Sequence, residues 1–326
     1  MTSRLERGLA CAIVVPFVIG FSVAGAEPSS AEEVCRFQDP QIVESSGLVA
    51  RDGLFITVND SGDSGRVFAV DATSCRTVGG TSWSDEVEDV EGVAPVDDGV
   101  LVGDIGDNLA ARESVRLLQV PAGRGEQTVT PTTYEMTYPG GARDAEALLV
   151  QPETGQVLIA SKGLMAGTLY AGPERLSESE ANRLHPVADV PGLVTDGAFF
   201  PDGRHFVLRT YGRAVVYTYP GFESIGDITL PEQEQGEGIA VDEQGQIFVS
   251  SEGQQAPVLR LDLPRRIERA MAPPEAEASS PAPDTVSPGG EPAPTPGPER
   301  DVWPWLLGGG VGLLIVVFLL RALRPR

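Results

Sequence analysis

Short apolar segments alternate with glycine-centred turns along residues 35–263, and this alternation occurs five times. Each repeat opens with a small residue and a short apolar run, such as Gly47–Ala50, then a turn such as Asp52-Gly53, then a second apolar run. The turn glycines lie at 53, 99, 155, 203 and 245, so successive turns are 46, 56, 48 and 42 residues apart. Asp-Gly between apolar runs favours a β-hairpin, because such turns need positive φ angles.

A third extended run follows in every repeat, and four repeats add a fourth, such as Arg76–Val78 or Ile228–Leu230. Four strands per repeat of this length are typical of the blades of a β-propeller. The fifth repeat lacks its fourth strand, whereas Cys35–Phe37 precedes the first repeat without a partner. We therefore predict an all-β protein, a five-bladed propeller over residues 35–263 whose N-terminal strand completes the last blade. A six-bladed propeller is the alternative.

The two ends of the chain predict where the protein is located. Residues 1–26 have a short basic region, an apolar stretch and Ala24-Gly25-Ala26, which indicates a cleaved signal peptide. Residues 303–320 are uncharged and about long enough for a transmembrane helix, and the arginines of 321–326 place that tail in the cytoplasm. The proline-rich segment 264–302 predicts a stalk. We expect a single-pass cell-membrane protein with a monomeric extracellular domain. The alternatives are an uncleaved N-terminal anchor and a C-terminal sorting tail that is removed after export.

Cys35 and Cys75 are the only cysteines that remain once the signal peptide is removed. Because exported proteins fold in an oxidising compartment, we predict a disulfide between them. That bond would tie the strand that closes the ring to the first blade.

The charge of the chain excludes one class of partner. The formal net charge is −23, and removing Glu6 and the five arginines of the two ends leaves 46 acidic and 19 basic residues in 27–302, a charge of −27. Nucleic acid is therefore excluded as a partner, since its binding requires basic groups that replace counterions.

Many of the acids recur at one position of the repeat. In an up-and-down blade, the loop before the first strand and the loop between the second and third strands lie at one end, opposite the Asp-Gly hairpins. Four of the five residues directly before the small residue are acidic: Ser46, Glu91, Glu146, Asp196 and Glu237. We therefore predict a ring of carboxylates at one mouth of the central channel.

Ionised carboxylates in such a ring repel one another, so either some are protonated or a cation lies among them. Outside the cell, a site built from oxygen ligands favours Ca²⁺. The alternative is that these acids bond loop amides and face solvent. The predicted calcium ligands are Glu91, Asp104, Glu146, Asp196 and Glu237.

The loops at the same end carry further residues that could contact a ligand. The predicted ligand-binding residues are Glu44, Asp60, Asp89, Asp144, Lys162, Arg209, Tyr211 and Glu252. The two histidines, His185 and His205, fall elsewhere, which disfavours a Ser-His-Asp hydrolase.

The motifs ESSGL (44–48), NDSGD (59–63), GDIGDN (103–108), RDAEALLV (143–150) and QGEGIAV (235–241) resemble those of an exported actinobacterial β-propeller family. The segment 237–253 is also similar to blades of β-propeller phytases. The phytase resemblance implies six blades, calcium in the channel and hydrolysis of phosphate esters. It matches Glu91, Glu146 and Glu237 to the channel carboxylates of that family.

Display on a stalk and an acidic face favour a binding function. We expect a cell-surface propeller that binds a ligand or protein partner through an acidic, calcium-binding face. A calcium-dependent phosphoesterase is the first alternative, and a glycosidase that uses paired carboxylates is the second.

Overall fold

Five β-sheets surround a central channel in the computed structural model, which describes residues 31–60 and 62–272. The innermost strands of the five sheets contact one another in a closed ring. The predicted five-bladed propeller is therefore confirmed, and the six-bladed alternative is wrong.

Each blade has four antiparallel strands, which are ordered below from the channel outward. Blade 1 contains β2 (Ser45–Arg51), β3 (Leu54–Asn59), β4 (Arg66–Asp71) and β5 (Thr77–Ser82). Blade 2 contains β6 (Val90–Val96), β7 (Gly99–Asp104), β8 (Val115–Val120) and β10 (Thr132–Thr137). Blade 3 contains β11 (Ala145–Val150), β12 (Val157–Ser161), β13 (Ala166–Ala171) and β15 (His185–Pro191). Blade 4 contains β16 (Val194–Phe199), β17 (His205–Thr210), β18 (Arg213–Thr218) and β19 (Ser224–Thr229). Blade 5 contains β20 (Ile239–Val241), β21 (Ile247–Val249), β22 (Pro257–Leu261) and β1 (Ala31–Arg36).

The N-terminal strand closes the ring, as predicted. Strand β1 pairs antiparallel with β22 and forms the outer edge of blade 5. The predicted disulfide is also confirmed, because Cys35 and Cys75 are bonded with their Cα atoms 5.7 Å apart. Cys75 lies in the turn between β4 and β5, so the bond joins the closing strand to blade 1.

Two short strands cross from one blade to the preceding one. Strand β9 (Gly125–Thr128) pairs in parallel with β5, and β14 (Asn182–Arg183) pairs in parallel with β10. Neither strand is predicted from the sequence. Both strands consist of exposed or polar residues and pair through backbone groups. Because they lack an alternation of apolar and polar residues, the sequence gives no signal for these strands.

The core consists of five apolar clusters, each between two neighbouring blades. Val58 of blade 1 and Val102 of blade 2 share one cluster, and Leu117 of blade 2 and Ile159 of blade 3 share the next. Both faces of every sheet are thus covered, which explains why the inner strands read as continuous apolar runs.

One helix, α1 (Arg265–Met271), follows β22, within the segment for which the sequence predicted a stalk. Ile267 of this helix is fully buried, and the helix contacts β19 of blade 4. The predicted signal peptide 1–26, the remainder of the stalk to residue 302, the transmembrane helix 303–320 and the basic tail 321–326 lie outside the described residues. In the described part of the chain, no helix has the length and apolar character that a membrane span requires.

The innermost strands lie close together at the small residues that open the repeats, and this level is named the constriction. A Cβ atom added to Gly47 would lie 2.7 Å from the backbone nitrogen of Val93, and one added to Gly238 would lie 2.9 Å from the Cβ atom of Leu48. Larger side chains therefore do not fit at these two glycines. On the hairpin side of this constriction, the five innermost strands enclose a cavity of about 520 Å³.

Candidate functional site

The carboxylate face is the end of the channel opposite the Asp-Gly hairpins. It carries the loops before the first strands and the loops between the second and third strands. Glu91, Glu146 and Glu237 lie at this face, directly before the constriction, and each is at most 4% exposed. Three acids this deeply buried and this close to the channel axis are costly to ionise together.

The register of the innermost strands separates Asp196 from these three glutamates. In blade 3, Glu146 is the bulged residue, and Ala147 after it is paired with the second strand at the level of the constriction. In blade 4 the bulge lies at Thr195, and Asp196 is the residue paired at the constriction. Thr195 is thus equivalent in position to Glu146, and Asp196 is equivalent to the small residue Ala147. Glu91 and Glu146 are bulged residues, and Glu237 lies just before the first paired residue of β20, so three blades carry an acid before the small residue, whereas the repeat pattern predicted four.

Asp196 fills the constriction and joins three blades. Its carboxylate accepts hydrogen bonds from the backbone N–H groups of Leu48 (3.2 Å), Ile239 (2.7 Å) and Gly197 (2.7 Å). Complete burial raises the pKa of Asp196, and the three amide donors oppose that rise. Its assignment to the ring of channel carboxylates is therefore corrected, because a one-residue shift of the bulge turns it toward the backbone of the neighbouring blades.

The two blades without a glutamate carry a hydroxyl residue at the bulged position. The Ser46 hydroxyl donates to the main-chain oxygen of Glu91 at 2.8 Å and lies 3.1 Å from its Oε2 atom. The Thr195 hydroxyl donates to the main-chain oxygen of Glu237 at 2.9 Å. Each hydroxyl therefore fixes the backbone of a glutamate in the next blade.

Three carboxylates converge between blades 1 and 2. One oxygen from each of Asp60, Asp89 and Glu91 lies within 4.8 Å of the other two. Burial, followed by the charges of Asp60 and Asp144, raises the pKa of Asp89 to about 6. Burial and the neighbouring acids also raise the pKa of Glu91. The structure therefore groups one predicted calcium ligand, Glu91, with two residues that were predicted to contact a ligand.

A close backbone approach makes this convergence possible. A Cβ atom added to Gly106 would lie 2.4 Å from Oδ2 of Asp89 and 2.9 Å from Cγ of Glu91. A side chain at this position would displace the carboxylate of Asp89 from the cluster.

A second cluster lies between blades 3 and 4. Lys162 forms an ion pair with Glu146, and its Nζ atom lies 5.9 Å from the ring centroid of Tyr211. Burial lowers the pKa of Lys162, but the charge and hydrogen bond of Glu146, together with the charges of Tyr211 and Glu237, outweigh burial, so the net shift is upward. The single lysine that the phosphoesterase hypothesis would use is thus already held by an acid. That hypothesis and the glycosidase hypothesis stay predictions.

Glu237 lies beside this second cluster and is incompletely bonded. The Tyr211 hydroxyl donates to its carboxylate, yet Oε2 of Glu237 is buried without a hydrogen-bond partner. Burial raises the pKa of Glu237. Nearby, burial and then the charges of Glu237, Asp60 and Glu44 raise the pKa of Glu252 to about 7. Lys162, Arg209 and Tyr211 thus compensate Glu237 in part, and one of its oxygens stays without a hydrogen-bond donor.

Two of the predicted site residues serve the fold. Arg209 is fully buried and donates to the main-chain oxygens of Gly238 (2.6 Å) and Ser250 (2.8 Å). It was predicted to contact a ligand, whereas in the structure its guanidinium group is buried and bonds main-chain oxygens of blade 5. Asp104 is also fully buried, and its carboxylate is paired with Arg112 at 2.9 Å and Arg116 at 2.5 Å.

The remaining predicted ligand-binding residues lie at the edge of the face. Glu44 is exposed, and Asp144 is half-buried and accepts the backbone N–H of Asp107 at 2.9 Å. His205 lies at the opposite end, where its Nδ1 atom is 2.7 Å from Asp202. The described residues therefore place no histidine at the carboxylate face.

Four exposed apolar side chains at this face are not predicted from the sequence. They are named the apolar rim: Leu109, Leu164, Met165 and Tyr211. Leu164 and Met165 lie in a loop between two strands, where polar residues are expected. That departure from the binary pattern is a signal that could have identified them.

No protein-family model matches the chain, and no curated protein sequence matches it. Three solved structures similar to the chain are each 14% identical to it. One is glutaminyl cyclase from Myxococcus xanthus (TM-score 0.46, covering 73% of this chain and 100% of that one). A putative 6-phosphogluconolactonase from Bacteroides uniformis covers 68% of each chain with a TM-score of 0.37. The Dos1 propeller covers 69% of this chain and 60% of its own, also with a TM-score of 0.37.

Proposed function

We propose that the protein is a binding module whose carboxylate face holds a calcium ion at Asp60, Asp89 and Glu91 and there contacts a ligand. The observation that carries this proposal is the convergence of three carboxylate oxygens within 4.8 Å of one another. A cation would favour the ionised carboxylates of Asp89 and Glu91, whose pKa is otherwise raised first by burial and then by the charges of neighbouring acids.

The donor set fits calcium better than the transition metals. Calcium takes oxygen ligands at about 2.3–2.6 Å, so oxygens on opposite sides of one ion lie up to about 5 Å apart. Zinc and copper sites in proteins draw on histidine nitrogen or cysteine sulfur. Both described cysteines are bonded in the disulfide, and the described histidines lie away from the face.

The ends of the chain support an extracellular setting for this module. The predicted signal peptide, stalk and transmembrane helix would display the propeller at the cell surface, where calcium is abundant. Its net charge of −27 over residues 27–302 would keep it away from anionic lipid headgroups.

Calorimetric titration of the purified full chain with CaCl₂ tests the proposal. We expect one site with a dissociation constant on the order of 10⁻⁴ M, as in extracellular calcium modules. At about 1 mM calcium, such a site adds about 1.4 kcal/mol to the free energy of unfolding, which EDTA removes.

Asp89→Asn removes one charged ligand and should weaken calcium binding at least about tenfold. The matched control is Asp98→Asn, which changes an exposed acid in a hairpin at the opposite end. Equal calcium affinity in Asp89→Asn and the control, or no heat of binding to the native chain, would contradict the proposal.

A further inference from the structure

The exposed apolar side chains are unevenly distributed over the molecule. Among the described residues, the exposed large hydrophobic side chains are Leu109 (88%), Leu164 (76%), Met165 (89%) and Tyr211 (40%). All four lie in loops that join the second and third strands of blades 2, 3 and 4, so all belong to the carboxylate face. Single exposed apolar residues are ordinary, but their concentration at one end of three consecutive blades marks an interaction surface.

A buried acid with one unbonded oxygen adjoins this rim, beside the cations Lys162 and Arg209. Tyr211 belongs both to the rim and to the cluster with Lys162 and Glu237. Glu237 is 3% exposed, and its Oε2 atom has no hydrogen-bond partner. A buried acceptor without a donor favours a ligand that brings an N–H group, and a charged donor forms the strongest such bond.

We propose that the apolar rim and Glu237 together bind a segment of a partner protein in which a lysine or arginine is flanked by apolar side chains. The cationic group bonds the carboxylate of Glu237, and the flanking side chains cover Leu109, Leu164 and Met165. Charge complementarity supports this partner, because the exported part of the chain carries −27 and would repel an acidic one. A small inorganic cation would leave the rim uncovered.

This inference deepens the proposed function, since both use the carboxylate face, but it rests on different residues. The calcium proposal depends on Asp60, Asp89 and Glu91 between blades 1 and 2. The docking proposal depends on the rim and on Glu237. Each can fail while the other holds.

Selection from a random peptide display library on the immobilised full chain tests the inference. The expected peptides share a lysine or arginine next to two or more apolar residues. A consensus peptide is then synthesised, and its affinity is measured by fluorescence anisotropy.

The double variant Leu109→Ser/Met165→Ser should bind the consensus peptide at least about tenfold more weakly, since contacts at the centre of an interface carry most of the affinity. Both residues are exposed, so the variant should fold, and its calcium titration should match that of the native chain. Glu237→Gln should weaken binding of the same peptide, and Asp98→Asn should not. Failure to select peptides, a consensus without a basic residue, or undiminished binding to the double variant would overturn the inference.

Discussion

Asp196 provides a sharp test of how the blades are held together at the axis. Asp196→Ala leaves three buried backbone N–H groups, from Leu48, Gly197 and Ile239, without an acceptor. Each unsatisfied group costs about 1–3 kcal/mol, and the removal of a buried carboxylate returns part of that cost. We expect a net loss of about 3–5 kcal/mol. For a domain of this size, that corresponds to a fall in Tm of about 6–20 °C.

Asp196→Asn separates the hydrogen bonds from the charge. Its amide oxygen can accept from Leu48 and Ile239, as Oδ2 does now, but its NH₂ group then faces the N–H of Gly197. We expect a loss of about 1–2 kcal/mol, measured by urea unfolding beside the native chain and the Asp98→Asn control. Calcium affinity should stay unchanged, since Asp196 lies outside the proposed site. An Asp196→Ala variant within about 1 kcal/mol of the native chain would refute its role as a tie between blades.

Two further predictions concern pH and the disulfide. Asp89 and Glu252 have pKa values raised to about 6 and about 7, so without calcium the folded chain binds protons more tightly than the unfolded chain between about pH 4 and 7. Tm measured in EDTA should therefore rise as the pH falls from about 8 to about 5.5. Saturating calcium should flatten this rise. A Tm in EDTA that falls as the pH is lowered over this range would contradict the prediction. The double variant Cys35→Ser/Cys75→Ser removes the disulfide, which closes a loop across a sequence separation of 40. On the chain-entropy model, the free energy of unfolding should fall by about 4 kcal/mol, which urea unfolding measures. An unchanged urea midpoint would contradict the presence of the disulfide.

The sequence was sufficient to predict the fold because each blade repeats the same local signals. Hairpin glycines and apolar runs are properties of neighbouring residues, and the missing fourth strand of the last repeat pointed directly to β1. The extra strands β9 and β14 escaped prediction because backbone pairing leaves no trace in hydrophobic alternation.

The site was only partly predictable, because its details depend on register and on three-dimensional proximity. A one-residue shift of a bulge moves Asp196 from the ring of acids into the constriction, although its sequence context matches that of Glu146. The burial of Arg209 follows from packing against blade 5, which no local pattern encodes. The placement of Asp60, Asp89 and Glu91 on one face was predictable, because the topology of a propeller blade fixes which loops share an end.

The closure of the ring by β1 has a consequence for self-association. A strand that completes a sheet at its edge could equally be supplied by a second copy of the chain, with the same backbone hydrogen bonds to β22, and such strand exchange produces swapped oligomers. The disulfide binds β1 covalently to blade 1 of its own chain. While it remains oxidised, blade 5 finds its fourth strand within the same molecule, and exchange between molecules is suppressed.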